Sequence, residues 1–330
     1  MTSAAQDAAS WLANPRATRE TLEAFGLATK HRLGQNFLVE DNIIRKIIRL
    51  AELTSDDVVL EVGPGLGTLT VAMLDYVRAV CSIEADRELE GVLATTCKEP
   101  HQDSFVLCMG DALKATPQLV GDAYASLGVF ADAQSKEASG ALIGPNKFVS
   151  NLPYQVAATL ILLFFQEFTT LEQAVVMVQA EVADRIAAKP GTKAYGAYTA
   201  KLALYAQVSG RFEVAPGNFM PPPRVNSAVV RLERAPMTDP LGTSVLTSEQ
   251  LAWVARVIDA AFAQRRKTIR NSMGASGFKK DTLERALLAA HIEPTVRAEA
   301  LGVKDFVRLA MALAEGGAYG EETTFVHGRR

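Results

Sequence analysis

The sequence predicts an α/β fold: a doubly wound, mostly parallel sheet, with a small all-α domain at its C-terminal end. Three observations carry this. Short apolar runs at 58–62, 77–83, 105–109 and 147–150 alternate with helix-spaced stretches, as a parallel sheet with crossover helices requires. The first three runs end in Gly63, in Glu84 and in Gly110-Asp111, at the edge where such a sheet opens onto a ligand crevice. After residue 247 only helical periodicity remains.

The elements follow in order. Residues 1–29 hold Trp11, Leu12, Leu22, Phe25 and Leu27, enough for a short helix packed on the body behind ten frayed residues. Residues 41–53 repeat apolar pairs at helical spacing, with Asp41 as the cap. Val58-Val59-Leu60-Glu61-Val62 reads as a buried parallel strand carrying one carboxylate. Gly63, Gly65 and Gly67 then turn the chain closely enough for its backbone to approach a ligand, and residues 68–74 continue with helical spacing. The spacing is G-x-G-x-G with Pro64 inside, rather than the dinucleotide pattern G-x-G-x-x-G, and a plain glycine hairpin fits it as well.

The second strand ends in Glu84, 21 residues after Gly63. An acid there can accept both hydroxyls of a ribose, whether of NAD or of an adenosyl ligand. The third ends in Asp111, which can accept from an adenine amino group. Singly, each acid reads as a solvated strand end; the three turns in order mark a nucleoside pocket.

Residues 115–146 are rich in Ala, Ser, Gly and Asp without sustained periodicity, which predicts a partly mobile surface insertion, or one short helix over 118–127. The run 147–150 leads into Asn151-Leu152-Pro153-Tyr154. An amide, a stiffened turn and an aromatic ring suit either a packed strand end or a grip on the exocyclic amino group of a flat heterocycle. Residues 236–247 read as a linker. Thr247-Ser248-Glu249-Gln250 has capping-box spacing, and three apolar stripes between 251 and 313 predict three helices. The polar, glycine-rich tail 316–330 predicts disorder. The division expected is therefore an extension at 1–29, a catalytic domain at 30–235, a helical domain at 247–315 and a tail.

At 330 residues the chain is long enough for about two domains and a sizeable core. The longest apolar stretch, 156–165, is too short to span a bilayer, and no signal-peptide pattern opens the sequence. Three cysteines without C-x-x-C spacing and four scattered histidines argue against a disulfide framework and against a metal site. A reduced, cytoplasmic monomer without metal or membrane association is expected. The net charge of −3 does not announce a nucleic-acid partner, but its placement is uneven: residues 247–330 carry 13 Lys/Arg against 10 Asp/Glu, leaving −6 for residues 1–246. Basic residues gather at 265–270, at Arg224, Arg231 and Arg234, and at Lys30, His31, Arg32, Arg45, Lys46 and Arg49. Each run reads alone as a solvated face; together they can supply phosphate contacts, which position a protein on RNA without selecting sequence.

Seven segments resemble one family in its order: Gly34-Gln35-Asn36-Phe37-Leu38, the 61–70 loop E-V-G-P-G-L-G-T-L-T, Asn151-Leu152-Pro153-Tyr154, Glu181-Val182-Ala183-Asp184-Arg185 with Lys193-Ala194-Tyr195-Gly196, Phe219-x-Pro221-x-Pro223-x-Val225-x-Ser227, Arg265-Arg266-Lys267-Thr268-Ile269-Arg270-Asn271, and Arg297-Ala298-Glu299-Ala300-Leu301. They are similar to the ribosomal RNA adenine N6,N6-dimethyltransferases of the KsgA/RsmA type, over about residues 16–315. The resemblance implies a class I S-adenosylmethionine-dependent methyltransferase, Rossmann-like with a seven-stranded sheet. It implies methylation of two adjacent adenosines near the 3′ end of 16S rRNA in the small ribosomal subunit.

The site residues implied are Asn36, Leu38, Gly63, Glu84, Asp111 and Asn151 around the donor. Asn151 and the Leu152 carbonyl are expected to accept the two N–H bonds of the adenine amine, Pro153 to stiffen the turn, and Tyr154 and Phe219 to hold the two faces of the base. Arg224, Arg265, Arg266, Lys267 and Arg270 are expected on RNA. Gln155-Val156-Ala157-Ala158-Thr159 departs from the family's commoner Asn-Ile/Val-small-Thr-Pro, which bears on local geometry. Two alternatives remain: a 23S rRNA adenine methyltransferase of the macrolide-resistance type, which shares the loop and N-L-P-Y, and a ribosome-assembly factor that has lost turnover.

Overall fold

The computed structural model describes residues 9–27, 35–130 and 143–318. The chain divides into two compact units, Met1–Ala183 with Val208–Arg234, and Asp184–Gln207 with Ala235–Arg330. The sequence reading draws its boundary at 235; the fold places 184–207 with the helical unit instead. Lys30, His31, Arg32, Gly34 and the tail from 319 lie outside the described residues.

The first unit is built on a seven-stranded sheet. Its strands are β2 (Val58–Val62), β3 (Ala79–Glu84), β4 (Phe105–Met109), β5 (Lys147–Asn151), β6 (Gln173–Gln179), β7 (Ala206–Val214) and β9 (Ser227–Arg234), in the order β4-β3-β2-β5-β6-β9-β7. From β4 to β6 all neighbours are parallel, and β9 runs antiparallel to β6. The central strands are covered on both faces, so they read as continuous apolar runs: Val59, Leu60, Phe148, Val149 and Ala174 through Val178 are fully buried. A separate two-stranded pair joins β1 (Phe37–Leu38) to β8 (Phe219–Met220), antiparallel.

The helix Asp41–Ala51 buries the Ile43, Ile44, Ile47 and Ile48 face predicted for it. Its cap is Glu40 rather than Asp41, which instead sits in the first turn and holds Arg45 at 2.7 Å. Lys147, inside the apolar run, is buried with its charge answered: Nζ lies 3.0 Å from Asp57 and donates to the carbonyls of Ala51 and Glu52.

Over the described residues the second reading of 115–146, one short helix, is the one that the fold shows, in place of a surface insertion. The helix Pro117–Ala125, capped by Thr116, packs on the sheet with Val120 and Tyr124 fully buried. The Tyr124 hydroxyl donates to the Val59 carbonyl at 2.6 Å, and Arg78 lies over the Phe130 ring. Two buried side chains, Val120 and Tyr124, hold this crossover helix, too short a stripe for periodicity alone to fix. Residues 131–142 lie outside the described residues.

In the helical unit, Thr247 and Gln250 form the predicted capping box at the start of Ser248–Phe262. The helices Lys280–Ala289 and Val303–Glu315 also follow the predicted stripes. A fourth, Ile269–Ala275, begins inside the basic run, with Thr268 as its cap and Ile269, Ser272 and Met273 buried. The run 265–271 therefore straddles a helix break. Among the described residues no helix is long and apolar enough to cross a membrane.

Candidate active site

The carboxyl ends of β2, β3, β4 and β5 open onto one cavity of about 420 Å³, within the range of small-molecule sites. Each wall follows from a local sequence feature. After β2 the loop turns with φ of +68° at Gly63 and +62° at Gly65, the left-handed region that side chains avoid. A Cβ at Gly63 would lie 3.2 Å from the Pro153 ring, and one at Gly65 would lie 3.2 Å from the Phe37 ring. Bare backbone is thus required where the loop meets both the Pro153 turn and the N-terminal segment.

At the end of β3, Glu84 is buried and its Oε1 accepts from the Asp86 N–H at 2.8 Å. Burial raises its pKa, against the backbone N–H groups of Asp86, Ala85 and Gly65, which favour the charged form. Asp111, after β4, is exposed at the cavity rim and its Oδ1 accepts from Leu113 N–H at 3.0 Å, capping a short turn.

Opposite them stands the β1 segment. Gln35, Asn36, Phe37 and Leu38 all line the cavity, tied down by Gln35 Nε2 to Asp86 Oδ2 at 2.9 Å and by Asn151 Nδ2 to the Asn36 carbonyl at 3.4 Å.

Asn151 is the last residue of β5, and Leu152 continues the ladder by donating its N–H to the Met177 carbonyl at 3.1 Å. Among the described residues neither the Asn151 side-chain oxygen nor the Leu152 carbonyl accepts a hydrogen bond. Two acceptors left open beside a cavity are a polar vacancy of the kind that interiors otherwise avoid. Tyr154 is held by its hydroxyl, 2.6 Å from Ser227 Oγ at the start of β9, and burial raises the phenol's pKa. The helix after Gln155 starts at Ala157 without a side-chain cap, at the departure from the family pattern.

The fold thus brings Asn36, Leu38, Gly63, Glu84, Asp111, Asn151, Leu152, Pro153 and Tyr154 around one space. Phe219 is not among them. It is 3% exposed, pairs with Leu38 across β1 and β8, and belongs to the hydrophobic core, because its strand faces inward. Arg224 is exposed and does not line the cavity. Its sequence neighbours have structural roles: Arg231 pairs with Glu52 and Glu233, and Arg234 donates to the carbonyls of Phe165, Phe168 and Leu171. In the helical unit, Arg265 donates to the carbonyls of Lys193 and Tyr195 and pairs with Glu299, while Arg270 pairs with Glu284. Arg266 and Lys267 are exposed and make no ion pair among the described residues.

Sequence reasoning missed Glu61, Gln35, Asp86 and Ser227. A carboxylate inside V-V-L-E-V was the available signal for Glu61; the others are set by tertiary pairing. A buried acid at the end of β3, bare backbone at two glycines and a cavity lined by both polar and apolar residues fit a nucleoside with a charged amino-acid tail, the shape of S-adenosylmethionine.

The model of the family described as ribosomal RNA adenine dimethylase matches residues 26–315. The ribosomal RNA small subunit methyltransferase A of Kineococcus radiotolerans is 38% identical over 95% of this chain and 95% of that protein. Its counterpart in Streptomyces coelicolor is 39% identical over 91% of this chain and 96% of that protein. Among solved structures, a dimethyladenosine transferase from Plasmodium falciparum shares the fold with a TM-score of 0.66, at 23% identity over 85% of this chain and 98% of that one. The 23S rRNA methyltransferase ErmE does so with a TM-score of 0.59, at 24% identity over 84% and 100%. By the family match and by its relatives, the chain belongs to the ribosomal RNA adenine dimethylase family.

Proposed function

We propose that the chain is an S-adenosylmethionine-dependent 16S rRNA adenine N6,N6-dimethyltransferase, acting on two adjacent adenosines in the 3′-terminal hairpin loop during ribosome biogenesis. When bound, S-adenosylmethionine supplies a methyl group on a positively charged sulfur. Gly63, Glu84 and Asp111 hold its carboxypropyl end, ribose and adenine, and Asn36 and Leu38 close the N-terminal side. The observation that carries the reading is the pair of open acceptors at the end of β5. An adenine amine presents two N–H donors, and Asn151 Oδ1 with the Leu152 carbonyl supplies two acceptors. Engaging both holds the nitrogen against the donor and draws its lone pair out of the ring, so positioning supplies most of the catalysis.

No strong base is needed at Asn151, because the nitrogen becomes acidic only after it has gained the methyl. Pro153 fixes the turn, and Tyr154, held by Ser227, offers one face for stacking. Phe219 supports this site from the core through Leu38 rather than closing the other face. Of the five cations expected on RNA, Arg266, Lys267 and Arg224 are exposed without an ion pair among the described residues and can meet phosphates. The protein works as a cytoplasmic monomer on the small subunit.

The test uses labelled donor on undermethylated small subunits, with large subunits as the comparison that separates the 23S reading. Asn151→Ala lowers methyl transfer by about 10³-fold or more while donor binding stays within a few-fold. Near-normal turnover in that variant refutes the assignment.

A further inference from the structure

Glu61 sits in the middle of β2 between Leu60 and Val62, is 1% exposed, and yet lines the cavity. A carboxyl this deep requires compensation. It receives two short hydroxyl bonds on one oxygen, from Thr70 Oγ1 at 2.7 Å on the helix Thr68–Leu74 and from Ser82 Oγ at 2.6 Å on β3. Its other oxygen makes no hydrogen bond among the described residues.

The groups that face it are Thr70 from the helix, Ser82 and Glu84 from β3, and Cys97 from the helical turn Ala94–Lys98. Ser150, on the flanking strand β5, spends its hydroxyl on the Val62 backbone. None of these is a cation. The wall is therefore a buried acid whose counter-charge has to arrive from the cavity.

We propose that Glu61 is the residue by which the cavity tells the cationic methyl donor from its uncharged thioether product. The inference rests on the assignment of this cavity to S-adenosylmethionine. The donor carries a sulfonium, an ammonium and a carboxylate, net +1; the thioether product has lost the sulfonium charge and is net neutral. Burial pushes the Glu61 carboxyl up to about 7, the hydroxyls of Ser82 and Thr70 oppose the rise, and the charge of Glu84 adds to it.

Near neutral pH the empty site thus holds a proton on Glu61 in a large fraction of molecules. Entry of the cation favours the carboxylate, and the proton leaves to solvent. When the methyl has gone, the ligand keeps its ammonium but has lost the sulfonium charge, and the carboxylate takes a proton back in a larger fraction of molecules. No covalent bond forms or breaks at Glu61; one proton is exchanged with solvent. An enzyme that places two methyls on one nitrogen has to exchange spent product for fresh donor between transfers, and a wall that loosens its hold on the product serves that exchange.

The experiment is titration calorimetry on the full chain, between pH 6 and 8, in buffers of different ionisation enthalpy. S-adenosylmethionine and S-adenosylhomocysteine are the two ligands. Wild-type protein releases more proton with the donor than with the product. Its donor affinity tightens by up to about tenfold per pH unit below pH 7 and levels above it, while product affinity changes by less than about threefold. Glu61→Gln removes the extra proton and flattens the donor profile. Should the Gln variant not fold, Ser82→Ala takes one hydroxyl from the carboxylate and moves the midpoint of the donor profile to higher pH. Equal proton release by the two ligands, a flat wild-type profile, or an unmoved midpoint overturns the inference. Donor binding with a flat profile overturns it alone; absence of binding by either ligand overturns the donor assignment with it.

Discussion

The two units use their family motifs in opposite ways. In the α/β unit the motif atoms stop short of partners: the Asn151 side-chain oxygen and the Leu152 carbonyl accept nothing among the described residues, beside a cavity. In the helical unit the motif atoms are consumed. Tyr195, from K-A-Y-G, donates to the Leu301 carbonyl of R-A-E-A-L at 2.8 Å, and Arg265 of the basic run donates to the carbonyls of Lys193 and Tyr195 and pairs with Glu299. Three segments that carry the resemblance to the family are thus bound to each other. The state of a motif's polar atoms tells whether its role is architectural or chemical.

The contrast breaks most readily at the glycine loop. Gly65→Ala places a side chain at φ +62° and 3.2 Å from the Phe37 ring, so it combines about 1–2 kcal/mol of left-handed strain with displacement of the segment that carries Asn36 and Leu38. Donor affinity falls by about 10- to 100-fold in calorimetry, with an unchanged far-ultraviolet dichroism spectrum. Unaltered affinity means that the segment does not wall the donor.

The helical unit supplies the next test, by setting neighbours in sequence against each other. Arg265→Ala removes two carbonyl hydrogen bonds and an ion pair, costing about 1–2 kcal/mol in denaturant unfolding. The double substitution Arg266→Ala, Lys267→Ala changes stability by less than about 0.5 kcal/mol, since both side chains are exposed and unpaired among the described residues. It instead lowers the slope of log RNA affinity against log salt by about 2. A loss of stability without any change in that slope reverses the roles assigned to the two parts of the run.

How much of this was legible in the sequence depends on what kind of signal each feature leaves. Strand ends were plain, because buried parallel strands are unbroken apolar runs and their last residues, Gly63, Glu84, Asp111 and Asn151, interrupt them. The helix Pro117–Ala125 was legible only as the second of two readings of its stretch, since just Val120, Gly121 and Tyr124 are buried and they leave too short a stripe for periodicity to decide. Phe219 misled because a motif gives order but not direction: its strand pairing with Leu38 turns the ring into the core. Arg231 and Arg234 look like Arg224 in sequence, and only the fold shows that they face a glutamate and a helix end.

The finest test of the comparison lies in one hydroxyl of the α/β unit that does find a partner. Tyr154 bonds Ser227 Oγ at 2.6 Å, so in this contact the aromatic of N-L-P-Y behaves like the consumed atoms of the helical unit while its ring lines the cavity. If the hydroxyl only orients the ring, Tyr154→Phe forfeits one hydrogen bond of about 1 kcal/mol and leaves the fully buried Ser227 hydroxyl without its partner. Methyl transfer falls less than about tenfold, whereas Tyr154→Ala loses the stacking surface and falls by about 10²-fold. Adding Ser227→Ala to Tyr154→Phe removes the orphaned hydroxyl and recovers part of the loss, because deleting both partners of a buried bond is nearly neutral. A Tyr154→Phe variant as impaired as Tyr154→Ala, and unimproved by Ser227→Ala, shows instead that the hydroxyl acts on the substrate. The division between atoms spent on the fold and atoms kept for chemistry then fails at this residue.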